Sequence, residues 1–112
     1  MIRNDDRVVI DGTVYHYKSG KMIQTLDDDE ITGGIALNSE YLLLGYGSCG
    51  KMSLWKWNGK TYDYVSKRSF MPSKKTMSVY NVKKNPYLEG NGVVMQNSYN
   101  KMYWFSIDMK SL

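Results

Sequence analysis

Apolar and polar residues alternate along this chain in short bursts, each bounded by glycine, asparagine, serine or aspartate. Arg7 to Ile10 is a β-branched run that ends at Asp11-Gly12, a two-residue hairpin signal. Thr13 to Tyr17 alternates, with Thr13, Tyr15 and Tyr17 on one face and Val14 and His16 on the other. Ser19-Gly20 turns and Lys21 to Leu26 returns. Ile31 to Leu37 opens a second group, and Tyr41 to Tyr46 is apolar throughout, the pattern of a strand buried on both faces. Met52 to Trp57 sets Met52 and Leu54 against Trp55 and Trp57. Asn58-Gly59 is the strongest hairpin turn in the chain, and Lys60 to Phe70 reads as an outer strand whose charges suit an edge. Met77 to Val82, Gly92 to Gln96 and Lys101 to Ile107 form a third group. No stretch carries a helical period. The pattern therefore predicts one all-β domain over residues 1–112: an antiparallel meander of about ten strands in groups of three, four and three.

Three segments repeat one motif: Asp11-Gly12-Thr13-Val14-Tyr15-His16-Tyr17-Lys18-Ser19-Gly20-Lys21, Gly50-Lys51-Met52-Ser53-Leu54-Trp55-Lys56-Trp57-Asn58-Gly59-Lys60, and Asn100-Lys101-Met102-Tyr103-Trp104-Phe105-Ser106-Ile107-Asp108. They start about 40 to 50 residues apart, the period of propeller blades. The first, and Met52 to Lys60 with Trp55 near the usual tryptophan place, resemble the third-strand signature of WD40-type propeller repeats. The chain has no Trp-Asp dipeptide and no Gly-His pair, so the buried hydrogen-bond network of that family has no matching residues. The resemblance implies blade-like β-meander geometry only. A closed propeller needs at least four blades, so three groups imply either self-association into a ring of about six blades or a small sandwich or barrel. A homo-oligomer is the expectation, because unpaired edges template strand addition.

Composition adds a charge split. Residues 1–50 hold four basic and eight acidic side chains, and residues 51–112 hold eleven basic and three acidic, within a net charge of +4. A lone cysteine, Cys49, excludes an internal disulfide and a cysteine metal framework, and fits a reducing, cytoplasmic setting. Met1 to Arg7 lacks the apolar run of a signal peptide. Tyr41 to Leu44 is too short to span a bilayer, so no membrane partner is expected.

Candidate chemistry concentrates in the basic half. Lys67-Arg68, Lys74-Lys75 and Lys83-Lys84 fall within eighteen residues, interleaved with Tyr62, Tyr64, Phe70, Tyr80 and Tyr87. Cations meet phosphates and aromatic rings stack on bases, which suits RNA, single-stranded DNA or a nucleotide. The plainer reading is a solvated edge. Trp55, Trp57 and Trp104 are candidate anchors of a core or an interface. Asp27 to Glu30 lacks the spaced ligands of a calcium loop and reads as a solvated loop. Gly45 to Gly50 precedes a strand rather than a helix, so it is neither a P-loop nor a dinucleotide fingerprint. His16, the one histidine, has no nucleophile beside it in sequence, so a structural role is expected.

These features favour a non-enzymatic module that binds another protein, without cofactor or metal. A nucleic-acid or nucleotide binder is the alternative, and a small hydrolase built on His16 a third. The richness in Lys, Asn, Tyr, Asp and Met fits an AT-rich genome and a viral or phage accessory protein that blocks a host factor, and equally fits many cellular sources.

Overall fold

The computed structural model describes residues 2–26, 31–46, 51–69, 79–84, 91–97 and 102–107, all strands and their connections. Eleven strands are described: β1 (Ile2–Asn4), β2 (Arg7–Ile10), β3 (Thr13–His16), β4 (Met22–Thr25), β5 (Ile31–Ala36), β6 (Tyr41–Tyr46), β7 (Lys51–Trp57), β8 (Tyr62–Ser69), β9 (Val79–Lys84), β10 (Asn91–Asn97) and β11 (Met102–Ile107). They form three antiparallel meanders, β1-β2-β3-β4, β5-β6-β7-β8 and β9-β10-β11. The sequence predicts about ten strands. The additional one is β1, which holds a single apolar residue, Ile2, and is fixed by pairing Ile2 with Val9 and Asn4 with Arg7. None of the sheets closes into a barrel, and no closed propeller forms, among the described residues.

Turn chemistry explains the meanders. Asp11 and Gly12 both take positive φ, 49° and 77°, the requirement of a tight type I′ hairpin. The Asn58-Gly59 connection is longer than two residues, because Trp57 pairs with Tyr62. Asn58 Oδ1 accepts from the Lys60 and Thr61 amides at 2.8 and 2.9 Å, and Asn58 Nδ2 donates to both Asp63 carboxylate oxygens. The same side-chain turn closes the β5–β6 connection, where Asn38 Oδ1 accepts from the Glu40 and Tyr41 amides.

The first two sheets pack face to face. Their shared core is Val9, Val14 and Leu26 against Leu42, Leu44, Trp55 and Tyr62, with Ile2, Ile23, Ile31, Ala36 and Trp57 around it. On β6 the intervening Leu43 is also buried, as are Met52 and Leu54 on β7. The continuous apolar run of β6 is thus covered on both faces, as its sequence requires. β9 packs along β5 and β6, and β1 packs along β5. The first strand of the middle sheet therefore adjoins the first strands of both other sheets. Gly34 on β5 permits the approach: a Cβ there would lie 2.8 Å from Ile2 Cδ1, from the Leu43 carbonyl oxygen and from Leu44 Cδ2. The three repeated segments fall on β3, β7 and β11, the third strand of each sheet.

Candidate interaction surface

Side chains on one strand alternate between faces, so the first sheet has an inner and an outer surface. The inner one carries a buried polar knot. Arg7 is 3% exposed. Its Nε donates to Tyr62 Oη at 3.1 Å, its Nη2 to Asn4 Oδ1 at 3.0 Å and to the Ser39 carbonyl, and its Nη1 to Asp6 Oδ1 at 3.1 Å. Its guanidinium stacks on the Trp57 ring, 4.2 Å from the centroid. Tyr62 Oη donates to Asn4 Oδ1, and Asn4 Nδ2 donates to the Asn38 carbonyl. A buried guanidinium with its donors met fastens two sheets without leaving an orphaned charge. Burial pushes the Tyr62 hydroxyl above its ordinary pKa, against the lowering effect of the Arg7 hydrogen bond and charge. Nearby, Gln24 Oε1 accepts from the Tyr62 amide at 2.6 Å and Gln24 Nε2 donates to the Tyr62 carbonyl at 3.1 Å. This side chain occupies the free edge of β8 as a short strand would.

The outer surface differs. The register aligns Arg3 with Val8, Val8 with Tyr15 and Tyr15 with Met22, and Ile10 and Tyr17 extend the same face. Ile10 is 43% exposed, Tyr17 47% and Met22 67%. Arg3 stacks over the Tyr17 ring, with Cζ 4.3 Å from the centroid. Exposed apolar groups rimmed by a cation on a β-face have the composition of a protein contact. None of these residues stands among the sequence-derived site candidates. The alternation of Thr13, Tyr15 and Tyr17 was the available signal, and it becomes a surface only once Ile10 and Met22 are placed beside it.

The sequence-derived candidates are dispersed. Tyr62 is buried in the knot and Trp57 lies half-buried under Arg7. Tyr64 is 52% exposed and meets Trp55 edge-on at 5.4 Å. Lys67 and Arg68 belong to β8, where they pair with Ser53 and Met52. Lys83 and Lys84 belong to β9, which runs two residues past its expected end, and Lys83 is exposed. β8 and β9 lie on opposite edges of the middle sheet, because β9 packs along β5 and β6. Lys67-Arg68 and Lys83-Lys84, near in sequence, therefore belong to strands separated by the width of that sheet. Trp104 pairs with Val94 in the third sheet. Lys74, Lys75, Phe70, Tyr87, Asp27 to Glu30 and Cys49 lie outside the described residues, and Tyr80 is placed on β9.

His16 has neighbours that its local sequence did not suggest. Its Nδ1 lies 3.2 Å from Ser19 Oγ and accepts from the Ser19 amide at 3.3 Å, and its Nε2 is 3.8 Å from Asp6 Oδ2. Ser19 Oγ also accepts from the Lys21 amide, and the Gly20 amide donates to the His16 carbonyl. These bonds close the β3–β4 turn. Among the described residues no group of three or more His, Cys, Asp or Glu side chains could hold a metal ion, and no helix is long and apolar enough to cross a membrane. The chain matches no protein-family model, no curated protein and no solved structure.

Proposed function

We propose that this chain is a non-enzymatic protein-interaction module whose recognition surface is the outer face of its first sheet. The observation that carries the reading is the exposure of Ile10, Tyr17 and Met22 together on one sheet face beside Arg3. Large side chains exposed on one face of a sheet gain most from being covered by another protein. The blade-like reading of the three meanders points the same way. β5 adjoins the first strands of the other two sheets, and the repeated motif recurs on the third strand of each, an arrangement of blade-like sheets side by side. The first sheet has its neighbour on the inner face.

The test is a triple variant, Ile10→Ser with Tyr17→Ser and Met22→Ser, compared with the wild-type chain in cross-linking and pull-down from the native cellular source. Partners cross-linked through the 10–22 segment in the wild type should be lost, with melting unchanged. Retention of every partner at full strength overturns the proposal. A second reading, nucleic-acid binding, draws on the exposed Lys83 and the dibasic Lys67-Arg68 of edge strand β8. It requires a ligand long enough to cross the middle sheet, and it predicts affinity that falls steeply with salt.

A further inference from the structure

The first and middle sheets share a register as well as a motif. Thr13-Val14-Tyr15-His16-Tyr17 in one corresponds to Ser53-Leu54-Trp55-Lys56-Trp57 in the other. Both meet a register shift at the same place, between Val14 and Tyr15 and between Leu54 and Trp55. Cross-strand pairing then matches row for row. Arg3, Val8, Tyr15 and Met22 correspond to Ala36, Leu42, Trp55 and Tyr64, and the pair Ile10–Thr13 corresponds to Leu44–Ser53. The outer face of the first sheet is therefore the counterpart of the middle-sheet face that carries Leu42, Leu44 and Trp55. That middle-sheet face is buried, packed on Val9 and Val14 of the first sheet. At matching positions Leu44 is buried and Ile10 is exposed. The two faces are one kind of surface, covered in the middle sheet and uncovered in the first.

The covering follows a direction. Val9 and Val14 correspond to Leu43 and Leu54, which lie on the middle-sheet face turned away from the first sheet. Unlike faces of the two sheets therefore meet. Leu43 and Leu54 are buried in turn, and β9 of the third sheet lies along β5 and β6. Among the described residues the first and third sheets are the two ends of this series. We infer that the outer face of the first sheet is covered by the third sheet of a second copy of this chain, head to tail. The inference rests on the reading of that face as a protein contact and names its occupant. A second copy continues the step by which sheet follows sheet within one chain, and it brings the third instance of the repeated motif, on β11, beside the first, on β3. Two first-sheet faces laid together would instead join like faces, which the first and middle sheets do not do. Head-to-tail contacts are heterologous and close into a ring when the rotation per step allows.

The experiment combines native mass spectrometry over a dilution series with photo-cross-linking of the purified chain. A benzophenone side chain stands in place of Tyr17, and isotope-labelled chain is mixed in so that links between copies are identified. The expected result is a discrete mass that is a multiple of 13.0 kDa, with links from position 17 to residues 79–84, 91–97 or 102–107 of another copy. Ile10→Glu and Met22→Glu should each weaken the assembly at least about tenfold, because each buries an unpaired carboxylate in the contact. Tyr64→Ser, at a position as exposed as Tyr17 but on the face that the first sheet already occupies, should leave the assembly unchanged, and melting verifies that all three variants fold. A monomer at every concentration overturns the inference. So do links from position 17 only to residues 2–25 of another copy, or dissociation by Tyr64→Ser. A monomeric chain that still captures other proteins through this face ends the inference and leaves the protein-contact reading standing.

Discussion

The two faces of the first sheet are made by the same four strands with opposite results. On the inner face Val9 and Val14 join the core, and Arg7 gives its donors to Asn4, Asp6, Ser39 and Tyr62. On the outer face Ile10, Tyr17 and Met22 stay exposed around the Arg3–Tyr17 stack. Both faces pair an arginine with an aromatic ring. What separates them is the second sheet, which supplies carbonyls, a phenol and apolar side chains to one face only. A cation on a ring is thus a fastening where water is excluded and a rim feature where it is not.

Substitutions can break this contrast from the inside first. Arg7→Ala should have the largest effect, a loss of about 3 to 5 kcal/mol, because it takes a buried hydrogen-bond partner from both Asn4 and Tyr62 and opens the space over Trp57; chemical denaturation measures it. Gly34→Ala should cost about 1 to 3 kcal/mol, since its Cβ would be driven into the Leu43 carbonyl and prise β1 from β5. Tyr62→Phe should cost about 1 to 3 kcal/mol by orphaning the Arg7 Nε. The same hydroxyl gives a pH signature. Tyr62 holds its proton to higher pH in the folded chain than in the unfolded one. Its contribution is therefore whole below the unfolded value of about 10 and is lost as pH rises through the raised folded value. Melting scans should show alkaline destabilisation that is blunted in Tyr62→Phe. On the outer face, Tyr17→Ser or Met22→Ser should move stability by no more than about 0.5 kcal/mol. A larger loss would mean that this face is buried within the folded chain, and the comparison would collapse.

Much of the fold was legible because hairpins are local. Asp11-Gly12 announced its turn, Tyr41 to Tyr46 matched its strand to the residue, and the unbroken apolar run of that strand announced burial on both faces. β1 was not legible, since Ile2-Arg3-Asn4 has no pattern of its own and becomes a strand only by pairing with β2. The candidate site was less legible still. Arg7 reads as a surface charge in sequence, and its burial depends on Tyr62, far along the chain. The dibasic pairs Lys67-Arg68 and Lys83-Lys84 show the same dependence on topology. Nearness in sequence suggested a patch, but a meander sets its fourth strand and the next sheet's first strand on opposite edges.

The arginine knot also governs the order in which the molecule assembles. Asn58 and Asp63 meet across a separation of five residues, and such a turn closes quickly. Arg7 and Tyr62 are 55 residues apart, and Asn4 and Tyr62 are 58 apart, so the loop entropy must be overcome before any of those bonds forms. The second sheet's β7–β8 hairpin should nucleate early and the first sheet dock late. Removing Arg7 would then accelerate unfolding while leaving the refolding rate nearly untouched.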